Sequence, residues 1–206
     1  MRVAVLVPVK RFSAAKGRLA GVLDHDARAR LAEWMASRVL AATSSLHTYV
    51  ACDDDDVSAW AVAHGAKVLW GPGLGLNGAV DDGVDRIRAD GFDHVIVSHA
   101  DLPRPAAIPD VAVAGTITLV PDRRRDGTNV LAFPLAAHIA AAYGGGSFQR
   151  HLDQAIRGAT DGYSVEVRRD RDLSLDLDTP HDLTHPLIDE VLPVWARTLR
   201  ANPRSA

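Results

Sequence analysis

The chain alternates short, apolar, β-branched runs with longer stretches of helical spacing, and this alternation restricts its fold more than any other property. "RVAVLVPV" (2–9), "HTYVAC" (47–52), "AKVLW" (66–70) and "DHVIVSHAD" (93–101) read as strands. Between them, Leu31, Met35 and Val39 recur at i, i+4 and i+8 within a helix predicted over 26–43. "DDVSAWAVAHG" reads as a helix opened by aspartates and closed by Gly65, and a third helix is expected over about 79–89. Strands joined by helices of this length need crossover connections, which build a mostly parallel sheet with helices on both faces. Strands then crowd together at "TITLVPD" (116–122), "TNVLAF" (128–133), "YSVEV" (163–167) and "LSLDLD" (173–178), with one helix from Phe148 to about Arg157. That crowding predicts an antiparallel excursion. Thr179 to about Leu199 is expected to be largely helical, and the polar end, 201–206, to fray. The expected architecture is α/β, one domain over residues 1–200.

At 206 residues the chain has room for one sizeable core. Its net charge of −3 supplies no basic field for nucleic acid or a membrane surface. Cys52 is the single cysteine, so an intrachain disulfide and a cysteine-based zinc site are excluded. No stretch has the length of a membrane span or the form of a signal peptide, and a cytoplasmic protein is expected.

In open α/β sheets, ligands bind beyond the carboxyl ends of the strands. The first strand runs into "KRFSAAKGRL", a loop with Lys10, Arg11, Lys16 and Arg18 and no acid. Lys10, Lys16 and Arg18 stand where a nucleotide's phosphates would be held; the plainer account is a solvated basic loop. The loop matches neither the Walker pattern nor G-x-G-x-x-G, so phosphate binding here would rest on side-chain charge. "SHADLP" ends the most apolar internal strand, and a carboxylate leaving a buried strand needs a cation or donors. Asp101 is therefore a candidate Mg²⁺ ligand, or else the cap of a turn before Pro103. His99 is better suited to hydrogen bonding than to Mg²⁺.

In "LSLDLDTPHD" the leucines alternate with Ser174, Asp176 and Asp178, which places both carboxylates on one face of a strand. Like charges about 7 Å apart repel unless a cation lies between them. Thr179, Pro180 and Asp182 also fit a capping box, so Asp178 serves either a metal or a helix start, and Asp176 is the better ligand candidate. "YGGGSFQRHL" leads a glycine run into a helix beginning near Ser147, an arrangement that offers bare N–H groups to an anion. Thr128, just after the Asp126-Gly127 turn, brings a hydroxyl near it. The alternative is a mobile glycine loop with a serine cap and solvated arginines at 123–125. In "GPGLGLNGAV", Asn77 either bonds a purine edge or caps the following helix. Asp53–Asp56 open a helix through its dipole.

Taken together, these motifs resemble, in order and from residue 3 to about 183, the guanylyltransferase family that makes the guanylylated precursor of the deazaflavin coenzyme F420. The resemblance implies a nucleotidyltransferase fold of the glycosyltransferase-A type. It implies a reaction of GTP with 2-phospho-L-lactate, phosphoenolpyruvate or 3-phospho-D-glycerate that releases pyrophosphate. By resemblance, Asp101, Asp176 and Asp178 match the family's acidic metal positions, and Thr128, Gly144 and Ser147 match positions that hold the phosphorylated acid. Similarity to bacterial members puts phosphoenolpyruvate first. Mg²⁺ is the expected cofactor, with Lys10, Lys16 and Arg18 neutralising the triphosphate. The rival readings are a sugar-phosphate or molybdenum-cofactor nucleotidyltransferase, which usually opens with a glycine-rich loop that "VPVKRF" lacks, and a protein that binds GTP without consuming it. Trp195 and Leu199 are placed to pack on the core or on a second copy in a homodimer.

Overall fold

The alternation in the sequence becomes a seven-stranded sheet of order β3-β2-β1-β4-β6-β5-β7. The computed structural model describes residues 1–201, and side chains through residue 197. Its strands are β1 (Val3–Pro8), β2 (His47–Cys52), β3 (Lys67–Trp70), β4 (His94–Ser98), β5 (Thr116–Pro121), β6 (Thr128–Pro134) and β7 (Ser164–Val167). The first four run parallel, β6 pairs antiparallel with both β4 and β5, and β7 returns parallel to β5. The antiparallel excursion is therefore the single strand β6.

Successive residues of a strand face opposite ways, and β1 shows the consequence. Ala4 and Leu6 enter one core with α3 (Gly75–Ala89) and α4 (Ser147–Thr160). Val5 and Val7 enter another with α1 (His25–Ala42) and α2 (Asp55–Ala63). Because β1 is buried on both sides, it reads as an unbroken apolar run. A third cluster joins Leu31 and Met35 of α1 to Leu175, Leu177 and the C-terminal segment. Among the described residues, no helix is long and apolar enough to cross a membrane.

Three local expectations need correction. Helix α3 begins at Gly75, inside the glycine-rich stretch read as a loop, because burial of Val80, Val84 and Ile87 outweighs the low helix propensity of glycine. "LSLDLD" forms no strand. Its backbone instead closes turns (Ser174 N–H to Asp170 O, Leu175 N–H to Asp172 O), with one long bond from Leu177 N–H to Asp101 O. The alternation of faces nevertheless holds: Leu173, Leu175 and Leu177 are buried, and Ser174, Asp176 and Asp178 are half-buried on the other side. The stretch after Thr179 is broken into a 3₁₀ turn (Asp182–Thr184), α5 (Pro186–Asp189) and α6 (Val194–Ala201), since Pro186 and Pro193 remove helical donors.

Trp195 packs on the third cluster with Arg30 4.4 Å from its ring centroid. The side chain of Leu199 and the stretch 202–206 lie outside the described residues.

The buried leucines hold the 173–178 segment in place of a ladder. Replacing Leu177 by Ala is expected to cost about 2–5 kcal/mol of unfolding free energy in urea titration. A loss under about 1 kcal/mol, the range of a tolerated swap, would show the segment to be loosely seated.

Candidate active site

The carboxyl ends of β1, β2 and β4, the turn between β5 and β6, and the 173–179 segment surround one cleft of about 770 Å³. Lys10, Lys16, Arg18, Asp101, Gly144, Ser147, Asp176 and Asp178 all line it. Residues more than 160 positions apart thus meet at the switch from the parallel half of the sheet to β6.

Lys16 organises the centre. The loop after β1 folds as two 3₁₀ turns, Phe12–Ala14 and Gly17–Leu19, and Lys16 joins them in the left-handed region at φ 56°. Such a conformation is costly for a residue with a Cβ and persists only when surrounding contacts fix it. Those contacts are two carboxylates: Lys16 Nζ lies 2.8 Å from Asp101 Oδ2 and 2.7 Å from Asp178 Oδ1, and the side chain is 6% exposed. Arg18 Nη1 approaches the second oxygen of Asp178 at 4.0 Å. Arg11 turns away to Asp54, the cap of α2, and Lys10 is exposed. The acid-free loop therefore takes its counter-charges from the end of β4 and from the strand-free 173–178 segment.

The carboxylates feel one another. Burial pushes Asp101 upward, but the Lys16 ammonium outweighs that and holds its carboxyl at about 2. Asp176 goes the other way: burial, then Asp101, then Asp178 raise it from 3.8 to about 6. The effects on stability are opposite in sign. Asp101 stabilises the fold above its ordinary 3.8, and that contribution is lost as pH falls through about 2. Asp176 favours the fold below 3.8, and that contribution is lost as pH rises through about 6.

Asp101 Oδ1 is buried without a hydrogen-bond partner among the described residues, with His99 Nδ1 at 3.7 Å. Among the described residues, no three His, Cys, Asp or Glu side chains are disposed as a ready ligand set. An ammonium stands between two of the three aspartates instead.

The far wall is the amino end of α4. Ser147 is 2% exposed, and its Oγ accepts from Thr128 N–H at 3.1 Å. Thr128 is fully buried with Oγ1 3.0 Å from His151 Nδ1, so its hydroxyl supports the wall from beneath. The glycine run is tied down, because the Arg150 guanidinium donates to the carbonyls of Ala142, Gly144 and Gly145. Gly144, at φ 114°, adopts a backbone form that few other residues reach. Asn77, expected at a purine edge or as a helix cap, lies off the cleft lining and inside α3, and spends both ends of its amide on Tyr143 backbone.

Several lining residues escaped the sequence reading. Arg123, read as solvated, pairs with the buried Asp182. Asp182 in turn accepts from the N–H groups of Asp178 and Thr179 and from the Thr179 hydroxyl, which keeps the acid's half of the expected capping box, although no helix starts at Pro180 and the 3₁₀ turn begins only at Asp182. Asn129 donates to Leu173 O at 2.9 Å, tying β6 to the aspartate segment. A polar residue inside the apolar run "TNVLAF" was the available signal.

Residues 3–190 match the family model described as "Guanylyl transferase CofC like". The chain belongs to this family. It is 35% identical over 196 residues to the phosphoenolpyruvate guanylyltransferase of Sphaerobacter thermophilus, covering 89% of this chain and 91% of that one. It is 31% identical over 191 residues to the 2-phospho-L-lactate guanylyltransferase of Methanothermobacter thermautotrophicus, covering 89% and 82%. A solved structure from Desulfovibrio desulfuricans G20, described as a nucleotide-diphospho-sugar transferase, superposes with a TM-score of 0.75 at 19% identity. That match covers 98% of this chain and 94% of the other. The fold is thus of the nucleotidyltransferase and glycosyltransferase-A kind, as the motifs implied.

In protein free of divalent ions, the Asp176 carboxyl is expected to titrate by ¹³C NMR at about 6, and Asp178→Asn to lower that midpoint. A midpoint at the ordinary 3.8, unmoved by Asp178→Asn, would mean that the carboxylates do not interact.

Proposed function

We propose that this chain transfers GMP from GTP to a small phosphorylated three-carbon acid in the cytoplasm, releasing pyrophosphate in the route to coenzyme F420. Phosphoenolpyruvate is the first-choice acceptor, in line with the name of the Sphaerobacter relative. One observation carries the reading: in a member of this family, three aspartates and a buried lysine meet in a cleft beneath the amino end of α4.

The acceptor needs little activation. A phosphate monoester loses its second proton at about pH 6, so the attacking oxygen is already ionised at neutral pH, and no side chain has to act as base. The barrier is the approach of two anions. Unit charges 4 Å apart repel by roughly 4 kcal/mol at an effective dielectric near 20, and each reactant carries several. Lys10 and Arg18, on the exposed lip of the cleft, attract the triphosphate and hold the departing pyrophosphate. The N–H groups of Gly146, Ser147 and Phe148 are spent on Asp126 and Gly144, so it is the dipole at the amino end of α4 that orients the phosphorylated acid, with Thr128 and His151 fixing Ser147 from behind.

The donors fit a divalent ion. Asp101 Oδ1 is a buried oxygen without a partner, Asp176 is a carboxyl destabilised by its neighbours, and all the donors are hard oxygens. Asp101, Asp176 and Asp178 would hold Mg²⁺, which supplies charge neutralisation between the phosphates when bound. Lys16 holds two of these aspartates in place beforehand.

Pyrophosphate release is to be measured with GTP or ATP against each of the three acids. Release is expected with GTP and most strongly with phosphoenolpyruvate. Asp101→Asn is expected to retain the fold and lower kcat by about 10²–10³-fold, the scale of losing one group that stabilises the transition state. No release with any acid, or wild-type turnover in Asp101→Asn, would overturn the reading.

A further inference from the structure

A second cleft, of about 670 Å³, lies on the other side of the turn between β5 and β6, between that turn and residues 169–175. Arg123, Arg125, Arg169 and Arg171 line it. In a chain of net charge −3, four guanidinium groups around one cavity need a reason.

Nearby acids do not provide one. Asp122 and Asp170 also line the cleft, but their oxygens are engaged. Asp122 accepts from the N–H groups of Asp126 and Gly127, and Asp170 from those of Asp172 and Leu173, with its second oxygen 3.5 Å from Arg168. Arg125, Arg169 and Arg171 have no ion pair among the described residues. His185 also lines the cleft, and its Nδ1 is buried with no hydrogen-bond partner among the described residues. Burial, then the charges of Arg123 and Arg171, hold that imidazole below its ordinary pKa. Leu175 and Leu187 supply an apolar floor.

We propose that this cleft is a second anion site, separate from the catalytic one, which takes a small phosphate monoester. The fork of an arginine matches the spacing of phosphate oxygens, and several forks around one cavity suit a dianion. The apolar floor suits the carbon skeleton of a monoester, which inorganic phosphate lacks.

The two clefts share a wall. Arg123 lines both and pairs with Asp182, which holds the backbone of Asp178. An anion that draws Arg123 toward the second cleft competes with Asp182 for the guanidinium, and the change reaches Asp178 through one carboxylate. The site thereby reports the level of a phosphorylated metabolite to the catalytic centre.

The test uses ¹⁵N-labelled full-length protein without divalent ions, titrated with inorganic phosphate in one arm and glycerol 3-phosphate in the other. Saturable shifts are expected at the amides of 169–171 and 185, with smaller ones at Asp178 and Thr179, and tighter binding of glycerol 3-phosphate. The double variant Arg169→Gln, Arg171→Gln changes two exposed side chains outside the catalytic cleft, so its pyrophosphate release should match wild type. Its affinity for glycerol 3-phosphate should fall about tenfold or more. Unchanged affinity in the double variant, or shifts confined to the catalytic cleft, would overturn the site. Equal affinity for the two probes would overturn the monoester assignment.

Discussion

The cleft at the strand ends depends on a single ammonium. Asp101 leaves the end of β4, and Asp178 belongs to a segment with no ladder to hold it. Left alone, the two carboxylates would repel each other and the segment that carries Asp178. Lys16 Nζ lies within 2.8 Å of both, and it does so from a backbone conformation that L-residues rarely adopt. A buried pair of this kind adds little net stability when measured against apolar replacements, but removing its cation leaves uncompensated charge at the centre of the cleft. The contact fixes the positions of the acids more than it stabilises the fold.

The sheet supplies the frame for that contact. β1 lies between β2 and β4 and is buried on both faces, so the loop that follows it starts from a fixed point. β6 runs against β4, which brings Asn129 beside the aspartate segment and Thr128 beneath the start of α4. The acidic centre and the glycine end of the cleft are thus both referred to one antiparallel strand. The strand-free segment 173–178 is held from three sides: its leucines in the core, the Asn129 amide, and the Arg123–Asp182 pair.

Much of this was legible in the residues. The apolar runs of β1 and β4 announced strands buried on both faces, and the ordered motifs from residue 3 onward announced the family. Facing was also legible where secondary structure was not: alternation in "LSLDLD" placed Asp176 and Asp178 on one side, although the segment forms turns and one long bond to Asp101 instead of a ladder. What could not be read was pairing across long separations. Nothing local in "AAKGRL" says that Lys16 turns inward onto an aspartate 162 residues away, or that Arg123 meets Asp182. Asn77 and Thr128 illustrate the same limit, since their polar ends are consumed by Tyr143 and His151 at distances along the chain that no motif encodes.

If these aspartates are arranged to receive a divalent ion alongside nucleotide, the ion's position decides the matter. Crystals grown with Mn²⁺ and GTP, without an acceptor acid, allow the metal to be located by its anomalous scattering. The account predicts a peak coordinated by Asp101 and by at least one of Asp176 and Asp178. A Mn²⁺ bound by phosphate oxygens alone, with Lys16 still bridging Asp101 and Asp178, would contradict it.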